Sequence, residues 1–215
     1  MASVAVPEFK VILCGEYGVG KTSLFRRFTQ DTFIDTSNYT HSQARQSTMG
    51  LDHASRKYEV DGLKSIKMQL WDTGGLERVA SITNSYYKFA DAALLVFSLN
   101  SLESFHCISQ HLLEILSLAE NAKIFLVCNK SDLSPYEVAD SDIELFMEQF
   151  PKFNGVYKVS CKTNSGIKEM FNDIAEKLAS MSYKSNLDAF KLHNQESAYI
   201  NGSSSSNAKD YCCPK

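Results

Sequence analysis

The most constraining feature of this 215-residue sequence is a glycine-rich run near its start, Gly15-Glu16-Tyr17-Gly18-Val19-Gly20-Lys21-Thr22. An apolar run suited to a buried strand, Phe9–Cys14, precedes it, and residues with helical periodicity, Thr22–Thr29, follow it. In such a loop, backbone amides and the helix N-terminus can surround phosphate oxygens, while Lys21 reaches the outer phosphates and the Thr22 hydroxyl ligates Mg²⁺. The alternative is a turn that merely links strand to helix. The full pattern favours a phosphate-binding loop (P-loop), and we include Ser23 in the site.

The rest of the chain alternates between strand-like and helix-like segments. Further buried strands are predicted at Ile66–Trp71, Ala92–Leu99, Ile124–Cys128 and Val156–Val159, and further helices at Leu102–Leu118, Ile143–Phe150 and Ile167–Met181. Leu51–Val60 and Leu63–Trp71 flank Asp61-Gly62, which is typical of an antiparallel hairpin. The pattern predicts an α/β P-loop nucleotide-hydrolase fold: a three-layer sandwich around a mostly parallel six-stranded sheet with one antiparallel strand.

Composition limits the other classes of function. The formal net charge is −3, so no basic surplus exists to hold nucleic acid, and we expect no nucleic-acid partner. Met1–Pro7 is too short and uncharged for a secretory signal, and none of the six cysteines has CxxC spacing, which argues against a disulfide framework or a zinc site. We predict a flexible N-terminus over 1–8, one nucleotide-binding domain over 9–181 and a flexible tail over 182–215.

A second motif selects the base. Asn129-Lys130-Ser131-Asp132 directly follows the predicted strand Ile124–Cys128. The Asp132 carboxylate can accept paired hydrogen bonds from the ring N–H and exocyclic amine of guanine, whereas adenine offers no such donor pair. An ordinary polar turn is the alternative. Ser160-Cys161-Lys162 follows the next strand and could place backbone amides on the guanine oxygen.

Trp71-Asp72-Thr73-Gly74-Gly75 completes the constellation, since its strand delivers Asp72 towards Mg²⁺ and the Gly75 amide can approach the γ-phosphate. The P-loop, Asn129-Lys130-Ser131-Asp132 and Ser160-Cys161-Lys162, in this order, resemble the Ras superfamily of small GTPases over roughly residues 9–181. The resemblance implies a GTPase that binds GTP/GDP and Mg²⁺, with Thr22, Thr48 and Asp72 at the metal and Lys21 and Thr48 also supporting catalysis. It places Phe33 as an aromatic stacked on guanine; a helix-end core residue is the alternative.

Several stretches are similar to the Rab branch in particular: Thr48–Asp52, Trp71–Arg78, Tyr86–Asp91 and Leu95–Leu99. The adjacent Cys212 and Cys213 resemble a double geranylgeranylation site, with unmodified surface cysteines as the alternative. The resemblance implies membrane attachment through these lipids on the cytoplasmic side of an intracellular membrane, with a cytosolic pool. It also implies effector proteins, an exchange factor, a GTPase-activating protein, a GDP-dissociation inhibitor and an escort protein as partners.

The sequence departs from this family at three places. Leu76 stands where most members have the glutamine that orients the attacking water, so intrinsic hydrolysis is expected to be slow. Tyr17 stands at a P-loop position that is usually glycine or a small residue, and Thr36–Gln46 is an apparent insertion. Leu76 fits either a naturally hydrolysis-poor GTPase, which the unusual Tyr17 and Gly74 favour, or an engineered Gln→Leu change.

These features favour a membrane-attached, Rab-like GTP/GDP switch that recruits effectors in vesicle traffic. The alternative is a GTP-locked binding scaffold that scarcely hydrolyses its nucleotide, which Leu76 and Tyr17 favour. A P-loop ATP kinase is disfavoured by the guanine motif and by the lack of a recognisable acceptor-binding lid.

Overall fold

The computed structural model describes residues 6–35, 52–60, 64–72 and 86–180. The strands and helices are β1 (Glu8–Cys14), α1 (Lys21–Gln30), β2 (Asp52–Val60), β3 (Lys64–Asp72), β4 (Ala92–Ser98), α2 (Leu102–His106), α3 (Ile108–Leu118), β5 (Lys123–Asn129), α4 (Asp140–Gln149) and β6 (Phe153–Lys158), and a last helix, α5, covers 167–180. Within these ranges, no helix has the length and apolar character that a bilayer crossing needs. The described residues up to Ala179 belong to one compact unit.

The strands form one six-stranded sheet in the order β2-β3-β1-β4-β5-β6. Strands β2 and β3 pair antiparallel, and every other neighbouring pair is parallel. The predicted α/β fold with one antiparallel strand is therefore confirmed. Because parallel strands end at the same edge of a sheet, the segments after β1, β5 and β6 meet at one edge, next to the end of β3.

Helices cover both faces of the sheet. Side chains alternate along β1, so Ile12 and Cys14 join the core cluster that contains Leu112 of α3. On the opposite face, Phe28 of α1 packs on Phe171 of α5 with ring centroids 5.0 Å apart. Strand β4 is buried along its whole length, which explains why it reads as an unbroken apolar run.

Two predicted element boundaries were wrong. The segment Leu102–Leu118 is two helices, because Ser101 caps α2 by accepting a hydrogen bond from the Ser104 amide at 3.2 Å and a new helix then starts after Cys107. The last strand covers Phe153–Lys158 instead of Val156–Val159. It is an edge strand that alternates between half-buried and exposed residues, so an apolar run marks only part of it.

Some predictions fall outside the described residues. Among them are the Asp61-Gly62 turn and the insertion at Thr36–Gln46. The predicted domain boundaries, at 8/9 and 181/182, stay predictions.

Phe89 is an exposed aromatic residue held in a left-handed backbone conformation. Its φ is 62° and its side chain is 81% exposed. The turn around it is fixed by Lys10, whose ammonium donates to the Tyr86 carbonyl at 2.6 Å and to the Lys88 carbonyl at 2.9 Å. This left-handed conformation is sterically strained for a residue with a bulky side chain, whereas glycine adopts it without strain.

We therefore expect Phe89→Gly to raise the free energy of unfolding by up to about 1 kcal/mol, since it relieves this strain and removes little buried surface. Equilibrium urea unfolding is the measurement. Phe89→Ala is the matched control, because it shortens the side chain but keeps the strained backbone. A glycine variant no more stable than the alanine variant would contradict the prediction.

Candidate nucleotide-binding site

The loop between β1 and α1 is seated tightly against the sheet. Gly15 has φ +132°, and a Cβ atom there would lie 2.1 Å from the Val96 carbonyl oxygen. Gly20 has φ +105°, and a Cβ atom there would lie 2.3 Å from the Asn129 side-chain nitrogen. Both contacts are too short for any side chain, so glycine is required at each position by space as well as by backbone conformation.

Lys21 begins α1 and folds back over this loop. Its ammonium donates to the Gly15 carbonyl at 2.6 Å and to the Glu16 carbonyl at 2.9 Å, and the residue is only 7% exposed. The first turn of α1 has no side-chain cap and no acidic residue. Helix N-terminal amides and a lysine ammonium therefore converge at the loop, an arrangement suited to binding an anion.

The remaining loop residues differ in exposure. Val19 is buried, the space beside Gly18 is open, and Tyr17 is 47% exposed. Ser23 is half-buried in the first turn of α1. Tyr17 thus presents an aromatic ring at the rim of the loop.

Thr22 and Asp72 bring two oxygen ligands together at the end of β3. The Thr22 hydroxyl donates to the Asp72 carboxylate at 2.7 Å, and Asp72 is fully buried. A hydroxyl and a carboxylate are the hard oxygen ligands that Mg²⁺ prefers. This pair fits the predicted metal site.

Asn129, at the end of β5, connects the two motifs. Its side-chain nitrogen donates to the Val19 carbonyl at 2.8 Å, and its side-chain oxygen accepts from the Cys161 amide at 3.3 Å. The residue is 2% exposed. One buried amide therefore holds the P-loop against the Ser160-Cys161-Lys162 segment.

Asp132 lies at the open side of the same region. One of its carboxylate oxygens accepts from the Ser160 hydroxyl at 2.5 Å, and that hydroxyl in turn accepts from the Thr163 amide at 3.0 Å. Asp132 itself is exposed, and no described residue hydrogen-bonds to its second oxygen. Burial lowers the pKa of neighbouring Lys130, an effect that the Asp132 charge opposes. The carboxylate is fixed in place yet open to a ligand.

Arg27 is a site residue that sequence reasoning missed. From α1 its guanidinium donates to the Cys161 carbonyl at 2.7 Å and to the Lys162 carbonyl at 2.9 Å. Burial raises the pKa of the Cys161 thiol to about 12, so this cysteine stays protonated at neutral pH. The arginine fixes the segment whose Ser160 holds Asp132, and no sequence motif signals this contact.

A second missed contact joins the P-loop to α3. The Glu16 carboxylate lies 3.1 Å from the Nε2 atom of His111, which is 6% exposed. The other ring nitrogen of His111 lies 3.6 Å from the Glu114 carboxylate. Only the apolar spacing of α3, which turns His111 towards the core, could have suggested that this residue is buried.

The described part of the structure does not bring every predicted site residue into the nucleotide-binding region. Phe33 lies beyond the end of α1 and is half-buried, and its stacking on guanine stays a prediction. Lys162 is exposed and pairs with Asp35 at 3.4 Å. Thr48, Gly75, Leu76, Cys212 and Cys213 lie outside the described residues.

Asn129→Ala should lower the free energy of unfolding by about 2–4 kcal/mol, because it leaves the buried Val19 carbonyl and Cys161 amide without their partner. Equilibrium urea unfolding checks this. Asn121→Ala, at an exposed asparagine just before β5, is the control and should change the value by less than about 0.5 kcal/mol. Equal effects of the two substitutions would count against the linking role of Asn129.

Comparison with known proteins is consistent with this geometry. The family model "Ras family" matches residues 10–180. The chain is also 38% identical over 174 residues to the Ras-related protein Rab-30 of Homo sapiens, and equally to Rab-30 of Bos taurus and of Mus musculus, with 80% of each chain covered. The P-loop, the buried Asn129 link and this similarity agree, and the chain belongs to the Ras superfamily of small GTPases, where it is most like the Rab proteins.

Proposed function

We propose that this chain is a membrane-attached, Rab-like switch that binds GTP and GDP and, when loaded with GTP, recruits effector proteins in vesicle traffic. The observation that carries the proposal is the hydrogen bond of 2.8 Å between the Asn129 side chain and the Val19 carbonyl. This hydrogen bond holds the segment suited to binding the base next to the loop suited to binding the phosphates. A single guanine nucleotide spans both.

Base selection rests on Asp132. Its carboxylate accepts the ring N–H and the exocyclic amine of guanine, and its bond to Ser160 holds it ready for both. The backbone of Ser160, Cys161 and Lys162 faces the guanine oxygen, while Lys130 and Phe33 flank the base. Adenine lacks the paired donors and leaves the carboxylate unsatisfied.

Phosphate binding rests on the P-loop and α1. The amides of Gly15–Gly20 surround the phosphates, Lys21 binds the outer ones, and Ser23 adds a contact from the first helical turn. Mg²⁺, when bound, neutralises charge that develops on the β- and γ-phosphates. Thr22 and Thr48 would bind the ion directly, and Asp72 would contact it through the ion's water ligands. The Gly75 amide would approach the γ-phosphate.

Hydrolysis of GTP to GDP and phosphate is proposed to be slow, because Leu76 has no hydrogen bond with which to orient water. The second candidate function is a GTP-locked scaffold that recruits partners without appreciable turnover. The exposure of Tyr17 at the rim of the loop favours it, since the ring could crowd an incoming catalytic group. The rate of hydrolysis separates the two candidates.

Membrane attachment is proposed through geranylgeranyl groups on Cys212 and Cys213, since two lipid chains anchor stably where one is marginal. Ser185–Lys215 contains three bases and three acids, so anionic headgroups add little attraction. Delivery and recycling would need an escort protein and a GDP-dissociation inhibitor. An exchange factor and a GTPase-activating protein would set the nucleotide state.

Titration calorimetry on nucleotide-free protein in excess Mg²⁺ tests the nucleotide site. Saturable binding of GTP and GDP is expected, with ATP and ADP at least about a hundredfold weaker, because adenine cannot satisfy the Asp132 carboxylate. Preference for the adenine nucleotides, or the absence of any binding, would refute the proposal.

A further inference from the structure

A groove of about 290 Å³ lies on the face of the sheet that α1 and α5 cover. Its walls are the end of α1, strand β2 and the first turns of α5. Ile167 and Phe171 lie beneath its floor and are almost fully buried, so they offer little apolar surface to a ligand. Arg27, which fixes the Cys161–Lys162 segment, lies at its margin, but none of the residues assigned above to direct contact with the nucleotide lines it.

The groove is strongly basic. Arg56 and Lys57 approach it from β2, and Lys168 approaches it from α5. All three are exposed, and none forms an ion pair with any residue in the described ranges. The fourth cation, Arg27, lies 3.5 Å from the Asp31 carboxylate, which lines the same groove and also accepts a hydrogen bond from Asn164 at 2.8 Å. Three positive charges therefore remain unneutralised around one concave surface, which concentrates a positive potential there.

Tyr58 adds an unsatisfied hydroxyl to the groove. Its ring packs on Phe28 with centroids 6.5 Å apart, and its buried hydroxyl has no acceptor for its proton among the described residues. Burial raises the pKa of this phenol, an effect that the charge of Arg56 and a hydrogen bond from Arg56 oppose, so the hydroxyl keeps its proton at neutral pH and can donate it to a ligand. Because a buried polar group without a partner costs free energy, the site is suited to a ligand that supplies an acceptor.

The choice of ligand follows from charge and size. The whole chain has a net charge of −3, which disfavours long polyanions and anionic bilayers, because they also meet the rest of the surface. The chain's own Ser185–Lys215 contains as many bases as acids, so it is not the acidic complement. A short segment that carries several carboxylates matches the three cations and meets little of the remaining surface.

We propose that this groove binds an acidic segment of a partner protein. Its carboxylates pair with Arg56, Lys57 and Lys168, and one of them accepts a hydrogen bond from Tyr58. The interaction is independent of the nucleotide site, so nucleotide affinity measured in parallel separates the two proposals.

The test measures the binding of a fluorescein-labelled peptide of sequence Glu-Glu-Gly-Glu-Glu to the full-length protein by fluorescence anisotropy at fixed ionic strength. Combined Arg56→Gln, Lys57→Gln and Lys168→Gln should weaken binding by about tenfold or more, with nucleotide affinity unchanged. The control is Lys88→Gln, Lys123→Gln and Lys152→Gln, which makes the same charge change at residues that do not line the groove. The control variant should bind as the parent protein does.

Tyr58→Phe provides a second readout. It should weaken peptide binding about threefold, because the hydrogen bond is lost, while thermal unfolding stays the same or shifts upwards, because a buried unsatisfied hydroxyl is removed. Absence of saturable binding to the parent protein, or equal weakening by the two triple variants, would overturn the proposal. So would displacement of the peptide by inorganic phosphate at equal concentration, or by phosphatidylserine vesicles, since either result would assign the groove to another occupant.

Discussion

Replacing Asp132 with alanine is expected to weaken GDP and GTP binding by about 10²- to 10⁴-fold. The carboxylate is proposed to accept two charge-assisted hydrogen bonds from guanine, each contributing about 1.5–3 kcal/mol. Its position is already fixed by the Ser160 hydroxyl at 2.5 Å, so little ordering is needed when the base arrives. Titration calorimetry with Mg²⁺ present gives both affinities.

Two further variants make this result specific. Ser160→Ala removes the hydroxyl that orients the carboxylate but keeps the charge, so we expect a smaller loss of about tenfold or less. Glu120→Ala removes an exposed carboxylate in the turn before β5 and should leave affinity unchanged. If the Asp132→Ala protein bound GDP as tightly as the parent, the assignment of guanine recognition to this residue would be wrong.

The strands and their mostly parallel arrangement could be predicted, because buried strands appear in the sequence as continuous apolar runs, whereas the order of the strands in the sheet was not predicted. Strand β4 is covered on both faces and reads as one apolar run, and the β2–β3 pair flanks an Asp-Gly dipeptide. Edge strand β6 escaped this signal, because only alternate residues along it are partly buried. The break at Cys107 was also missed, since apolar spacing continues across it and the cap formed by Ser101 is a local hydrogen bond.

The site was predictable where its chemistry lies within one segment. The run Gly15–Thr22 carries its own glycines, lysine and hydroxyl, so spacing alone marked it. No sequence motif identifies Arg27 as a site residue, because its hydrogen bond to the Cys161 carbonyl joins residues 134 positions apart. The contact between Glu16 and His111 likewise spans 95 positions. Contacts of this kind depend on how α1 and α3 pack on the sheet, which a single sequence does not encode in any short pattern.

The rate of GTP hydrolysis is expected to depend on Leu76, a residue with no role in base recognition. Phosphoryl transfer in sites of this kind relies almost entirely on positioning and electrostatic stabilisation. Lys21 is in place for the electrostatic part, since its ammonium already lies over the loop carbonyls at 2.6 and 2.9 Å. The positioning of water is what Leu76 cannot provide, because its side chain neither donates nor accepts a hydrogen bond. The site should therefore bind GTP well and turn it over slowly.

Leu76→Gln should accordingly raise the single-turnover rate of GTP hydrolysis by about ten- to a hundredfold, because a glutamine amide can orient the attacking water. Affinity for GTP should stay within about twofold, since this group acts on water and not on the nucleotide. Leu76→Met is the control, because it keeps an apolar side chain of similar size and should leave the rate unchanged. A parent protein that already hydrolyses GTP as fast as the glutamine variant would show that water is positioned by another group. Tyr17→Gly in the Leu76→Gln background then separates crowding from positioning, because a further increase in rate would mean that the aromatic ring at the rim of the loop also slows the reaction.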